Sequence, residues 1–271
     1  MVFMGHGLVV AMLVWQSLVA GWALKRLGQP IGALPASLVA GTLTLLMPVL
    51  KSVAPIIYAV VCIPLVLLTR GKTMARVAVV AATIVAAYPI LSIYDAFPKQ
   101  ELVDYAARYS QDRAQSLDYR FQNERSFIQK ALQRPIFGWG GYDRGNIFNE
   151  EGRAQGVWDG AWIIMFSFSG WVGLLSRFAV ILLPIFIAMR KMGKFSSEIQ
   201  LQLGTLTLIL GIMSLDLLPN GMPNGTILFL GGGLIGVLQG MRPRKRNLPQ
   251  LLRALLRLNT LQPRAPINPI R

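Results

Sequence analysis

The sequence predicts an all-α, polytopic transmembrane helical bundle of about seven spans with one large, mainly helical extracytoplasmic loop. Three observations predict it. The 271 residues are 54% hydrophobic and only 14% charged, with a mean hydropathy of +0.50, which no water-soluble globule of this size carries. The apolar residues come in continuous runs rather than alternating with polar ones, which selects helices over a β-barrel. The charges are segregated: ten of the twelve acidic residues lie between positions 94 and 159, beside nine of the 27 basic ones. That stretch is a nearly neutral, soluble-looking insert in a strongly basic membrane protein.

Four spans are predicted before the insert, at about 7–24, 31–50, 54–69 and 75–93, and three after it, at about 161–189, 200–218 and 223–240. Each must supply roughly 20 residues to cross roughly 30 Å of hydrocarbon; the third is short and the fifth too long. Pro and Gly within the runs are tolerated where neighbouring helices satisfy the freed backbone groups. The domains therefore read as 1–93 (four transmembrane helices), 94–160 (the loop domain), 161–240 (three transmembrane helices) and 241–271 (a basic tail). Lys25 and Arg26, Arg70, Lys72 and Arg76, Arg190, Lys191 and Lys194, and Arg242, Arg244, Lys245 and Arg246 fall on alternate ends of the spans, so one side collects them. By the positive-inside rule that side is the cytoplasm. The insert and the N-terminus are then outside and the tail inside. An uncharged N-terminal flank is a weak topogenic signal and no signal-peptide pattern is present. The chain therefore reads as the C-terminal portion of a larger assembly, its first helices expected upstream or from another membrane subunit.

Within the insert, 101–133 carries helical spacing, with Leu117, Phe121, Ile128 and Leu132 on one side, and reads as an amphipathic helix or helix pair. Pro135 stops it, and Phe137-Gly138-Trp139-Gly140-Gly141-Tyr142 follows as a Gly-rich aromatic turn. The fifth run as one helix would extend roughly 43 Å. A break is expected near Gly170–Gly173, giving a half-helix at 161–169 and a crossing from about 173 to 189. The tail, with Leu248, Leu251, Leu252, Leu255 and Leu256 after its basic cluster, reads as an amphipathic helix on the anionic cytoplasmic leaflet. The membrane accounts for the charge, and no nucleic-acid partner is expected.

One histidine, His6, and one cysteine, Cys62, exclude a His-rich metal site, a Ser/His/Asp triad and a disulfide framework. No metal and no cofactor are expected. What remains is a set of charges on the outer face: Lys51, Arg120, Arg125, Arg144, Asp159, Arg177 and Asp216. Arginines suit bidentate phosphate binding, and a carboxylate among them can act as a base or hold a guanidinium in place. Each has a plainer reading: Arg125 pairs with acids of its own helix, Arg177 snorkels to headgroups, and Asp216 is its structural partner. Trp139, with Trp158, Trp162 and Trp171, reads equally as an interfacial belt or a sugar-stacking platform.

The stretch Ser116-Leu-Asp-Tyr-Arg120-Phe-Gln-Asn-Glu124-Arg125, continuing through Ala131-Leu-Gln-Arg-Pro135-Ile-Phe-Gly138-Trp-Gly140, resembles the signature of the O-antigen ligase and Wzy-type O-antigen polymerase superfamily. There an Arg opens a helix that ends in Pro and a G-x-G turn. Asp159-Gly160-Ala-Trp162, Gly170-Trp-Val-Gly173 and Lys51-Ser52 resemble further landmarks. The resemblance runs over about positions 30–240, and the family's first several helices have no counterpart. It implies a bacterial inner membrane as the setting, and there a membrane glycosyltransferase that moves or polymerises an undecaprenyl-pyrophosphate-linked oligosaccharide onto a glycan or lipid acceptor, by metal-independent inversion. Polymerase is slightly preferred over ligase. Catalytic roles fall to Arg120 and Asp159, and pyrophosphate or glycan binding to Lys51, Arg125, Arg144, Arg177, Asp216 and Trp139. Asp159 stands where many members have His, and Lys51 where many have Arg. The competing reading is a non-enzymatic component of polysaccharide export, either a transporter or a scaffold that binds the carrier without releasing it.

Overall fold

The computed structural model describes residues 7–221 and 225–240. His6 and the predicted tail helix lie outside the described residues. The elements in chain order are α1 (Gly7–Arg26), α2 (Ala36–Leu46) with a 3₁₀ turn at Met47–Leu50, α3 (Val53–Leu68), α4 (Gly71–Ile93), α5 (Lys99–Ala107), α6 (Gln111–Leu132), the short antiparallel pair β1 (Ile147–Phe148) and β2 (Ala154–Gln155), α7 (Ala161–Met192), α8 (Ser197–Asp216) and α9 (Gly225–Gly240). About three-quarters of the described residues are helical, and the fold is nearly all-α.

Four helices, α1, α4, α7 and α8, are long and apolar enough to cross a membrane; the segments at 36–50, 53–68 and 225–240 are apolar but shorter. Leu45, Leu68 and Phe229 are each about four-fifths exposed, a cost in water that a lipid surround removes. The second predicted span begins five residues late. Pro30 and Pro35 bracket a turn in which Gly32 takes a φ of +60° and Ile31 bridges Leu34, so the helix starts only after Pro35. Hydropathy counts those residues as apolar, whereas their backbone excludes them from a helix.

α8 sits at the centre of the bundle, with 67% of its most apolar stretch buried, and packs against α1, α3, α4, α7 and α9. Its tightest seam is with α4 and is built from small residues. A Cβ on Gly71 would lie 1.8 Å from the Gln200 carbonyl oxygen, and one on Gly211 would lie 2.8 Å from the Ala78 Cα. Ala75, Ala78 and Ala82 complete the α4 side, fully buried. Close backbone approach of this kind substitutes for the hydrophobic driving force that lipid does not provide. Elsewhere the Arg26 guanidinium donates to the carbonyls of Val66 and Thr69, satisfying acceptors that the end of α3 leaves open.

α7 is broken at Gly170, whose φ of 59° and ψ of −162° belong to no helix. Four backbone hydrogen bonds repair the break from outside. The amides of Trp139 and Gly140 donate to the carbonyls of Ser167 and Phe168, at 2.8 and 2.9 Å, and the amides of Trp171 and Val172 donate to Pro135 and Ile136, at 2.8 and 3.2 Å. The fit requires glycine on both sides: a Cβ on Gly170 would lie 2.3 Å from the Ile136 oxygen, and one on Gly138 would lie 2.6 Å from the Gly170 nitrogen. The turn after α6 is thus spliced into α7.

Candidate functional site

Above the junction of α4, α6 and α7 lies a cavity of about 240 Å³ with mainly apolar walls, among them Tyr88, Phe97, Leu117, Phe121, Phe127, Ile163 and Leu218. Three charged side chains reach it: Arg120, Glu124 and Asp159. A small apolar-walled pocket with a few convergent polar groups is the usual form of a ligand site.

Asp159 is placed from two directions. The ring of Trp158 stacks on Phe127 of α6, with centroids 3.8 Å apart, and its Nε1 donates to Asn146. On the other side Ala161 N donates to the Leu217 carbonyl at 2.9 Å. Gly160 lies so close to the end of α8 that a Cβ there would stand 2.4 Å from the Leu218 oxygen. Between these anchors the Asp159 Oδ2 is sealed from solvent and accepts no hydrogen bond. Buried polar atoms in folded proteins are nearly always paired, and an exception calls for an explanation. Trp15, Gln16, Asn123 and Ser167 hold such atoms too, and of these five residues only Asp159 lines the cavity.

Arg120 projects from α6 at the rim, exposed. The ion pairs among the described residues are Lys99–Glu124, Arg125–Asp95 and Arg153–Glu151, so Arg120 and Asp159 share the cavity without neutralising each other. The guanidinium keeps its full fork of donors for an anion.

Glu124, one turn along α6 from Arg120, is the group that sequence reasoning missed. Its carboxylate meets Lys99 Nζ at 3.1 Å and accepts from Tyr88 Oη at 3.1 Å, Ser92 Oγ at 2.6 Å and Trp162 Nε1 at 3.1 Å. Four donors from α4, α5 and α7 thus converge on one carboxylate and tie α6 to three other helices. The signal was present: Leu117, Phe121, Glu124 and Ile128 fall on one helical face, so an acid interrupts an apolar stripe.

The other expected residues do not join this cavity, so the predicted outer-face charges are not one constellation. Arg125 turns to Asp95, with both carboxylate oxygens within 2.9 Å, and lines an adjoining polar cavity of about 340 Å³. Its partner thus comes from the α4–α5 connection rather than from its own helix. The pairing holds the Asp95 carboxyl below its ordinary value, through the hydrogen bonds first and the guanidinium charge second. Trp139 donates from Nε1 to the Lys130 carbonyl, and its ring is met by the Lys130 ammonium at 4.1 Å and the Arg134 guanidinium at 4.5 Å, so cations occupy the platform. Arg144 folds back to donate to the Gly141 carbonyl. Lys51 is exposed and closes the 3₁₀ turn before α3 with a φ of 50°. Asp216 is buried and accepts from Tyr58 Oη and Asn220 Nδ2, both at 2.9 Å; these, and not Arg177, are its partners. Arg177 faces a separate groove beside α9. Among the described residues no cluster of three or more His, Cys, Asp or Glu side chains could hold a metal ion.

Comparison with protein-family models, with curated proteins and with solved structures returned no match. The site's own geometry therefore carries the functional argument.

Proposed function

We propose that this chain is a membrane glycosyltransferase of the O-antigen polymerase or ligase type, acting on a lipid-pyrophosphate-linked oligosaccharide in the cavity between α6 and α7. The observation that carries the reading is that Arg120 and Asp159, 39 positions apart in the sequence, line one apolar-walled cavity where Asp159 holds an unpartnered buried oxygen. The resemblance of 116–140 and 159–173 to that superfamily supports it.

In this scheme Asp159 accepts the proton of the acceptor hydroxyl. The hydroxyl oxygen bonds to the anomeric carbon as the bond to the pyrophosphate oxygen breaks, which inverts that centre. Arg120 stabilises the charge gathering on the departing lipid pyrophosphate. Seven spans are proposed, counting the three shorter apolar segments; 15 or 16 residues cover only about 24 Å, and local thinning of the bilayer takes up the difference. The cavity lies at the N-terminal end of α7, while Arg190 and Lys191 occupy its last turn. That opposition supports an extracytoplasmic site and a cytoplasmic C-terminus in the inner membrane.

The test is transfer from an undecaprenyl-pyrophosphate oligosaccharide by the purified protein in liposomes. Arg120→Ala and Asp159→Ala should each lower product formation at least about 100-fold, and Arg120→Lys should recover only part of it because the fork is lost. Ladders of extended glycan identify a polymerase, and single transfer to a lipid acceptor a ligase. Activity of both alanine variants within threefold of wild type would refute the assignment. Carrier bound but never released identifies the non-enzymatic scaffold instead.

A further inference from the structure

We propose that the groove between the second half of α7 and α9 holds one anionic phospholipid, with the lipid phosphate on Arg177 and an acyl chain laid along the groove. The site is separate from the cavity above: Ile163 of α7 faces that cavity, whereas Met165 faces the groove.

The groove encloses about 570 Å³, within the range of about 300–1,000 Å³ that accommodates small-molecule ligands. Its walls include Met165, Val180, Ile181, Ile227 and Leu228. Ser176 also borders it, but its hydroxyl is spent on the Val172 carbonyl. Arg177 brings the only charge to this lining. It is exposed and makes no hydrogen bond or ion pair among the described residues. Asp216 is engaged by Tyr58 and Asn220.

Depth decides what the guanidinium meets. Arg177 stands seven residues beyond Gly170, about 10 Å along the helix, and Arg190 and Lys191 mark the far end of α7. Thirteen residues, about 20 Å of helix, separate it from Arg190, so in roughly 30 Å of hydrocarbon its backbone lies about 10 Å below the boundary opposite Arg190 and the guanidinium reaches toward the headgroups along its own side chain. A cation at that depth is costly unless an anion meets it. A hydrocarbon groove with one guanidinium at its side matches a phosphate carried on a hydrocarbon chain. A zwitterionic headgroup brings its own cation to compete for the phosphate, so net-anionic lipid is preferred.

Native mass spectrometry of the full chain released from detergent, with dioleoyl phosphatidylglycerol and dioleoyl phosphatidylcholine offered at equal concentration, tests this. One retained phosphatidylglycerol per chain, preferred at least fivefold, is expected. Arg177→Gln should abolish the preference, Arg177→Lys should keep it, and Val180→Trp, which fills the groove, should lower retention of both lipids. Equal retention of the two lipids by wild type overturns the proposal, and that measurement needs no variant to fold. So does an unchanged preference in Arg177→Gln, unchanged retention in Val180→Trp, or exclusive retention of undecaprenyl phosphate when it is added.

Discussion

Replacing Glu124 by Ala should destabilise the attachment of α6 by about 3 kcal/mol. The magnitude follows from what the carboxylate leaves behind. Lys99 and Glu124 are each 11% exposed, so an abandoned ammonium is re-solvated only in part, through the polar cavity that Lys99 lines, and Tyr88, Ser92 and Trp162 lose their common acceptor as well. Removing one member of a buried pair typically costs about 3–5 kcal/mol, because the partner stays buried and unpaired. The small residual exposure places Glu124→Ala at the lower end. Glu124→Gln keeps the shape and one acceptor oxygen but turns an amide toward donors, and should cost about 2 kcal/mol.

The double variant Glu124→Ala with Lys99→Met removes both charges and should be less destabilised than the sum of the single variants by about 2 kcal/mol. Unfolding in mixed micelles, followed by tryptophan fluorescence, measures these values, since Trp162 donates directly to Glu124. Hydrogen exchange should show the loss in α5 and α6 while α8 stays protected. A cost below about 1 kcal/mol for Glu124→Ala, or strict additivity of the pair, refutes the reasoning.

Gly170→Ala should cost about 3 kcal/mol or more in the same assay, because its backbone conformation is nearly exclusive to glycine and the new Cβ meets the Ile136 oxygen. Gly232→Ala, at a helical position with nothing within 4 Å, should be neutral or stabilising by up to about 1 kcal/mol. Gly71→Val should separate α4 from α8 and cost at least about 3 kcal/mol, since the obstructing atom is the Gln200 backbone. The exposed Asp95–Arg125 pair should contribute stability that is complete above the ordinary carboxyl value of 3.8 and is lost as pH falls through the lower folded value. In Arg125→Gln a carboxyl-carbon NMR titration should move the Asp95 midpoint up toward its ordinary value, Lys99 remaining as a weaker lowering influence.

The apolar runs were legible because hydropathy reports burial in lipid directly; their ends were not, because ends are set by backbone chemistry. The turn at 31–34 shows the difference, since Pro30 and Pro35 are apolar by composition and helix-excluding by geometry. The excess length of the fifth run pointed to a break, and Gly170 carries one. Its partner was hidden: Pro135–Gly140 reads as a Gly-rich turn, and nothing local says that its amides complete a helix some thirty residues later. Assigning the candidate charges to one site was beyond hydropathy and charge counting. Helix axes stand about 8–10 Å apart, so Lys51, Arg144, Arg177 and Asp216 can share a level and still face different hollows.

The two residues that do meet are held differently, and the difference bears on mechanism. α6 is fastened to α7 at two points, Glu124 to Trp162 and the Pro135–Gly140 turn to the break at Gly170. About 12 Å of α6, from Glu124 to its end at Leu132, therefore lies alongside about 12 Å of α7, in the same direction. Gly160 and Ala161 are pinned in turn to the end of α8. Asp159 sits at the corner of this frame, so its backbone is held before any ligand arrives, a condition that the proposed role as a base requires. Arg120 extends from the exposed flank of the same helix on a long, unpaired side chain and can follow a ligand as its charge moves. On the proposed mechanism, substitution at Asp159 should fall on kcat with KM little changed, because a base acts in the transition state. On the same proposal, substitution at Arg120 should change both, because the donor's pyrophosphate would be held there in the ground state as well.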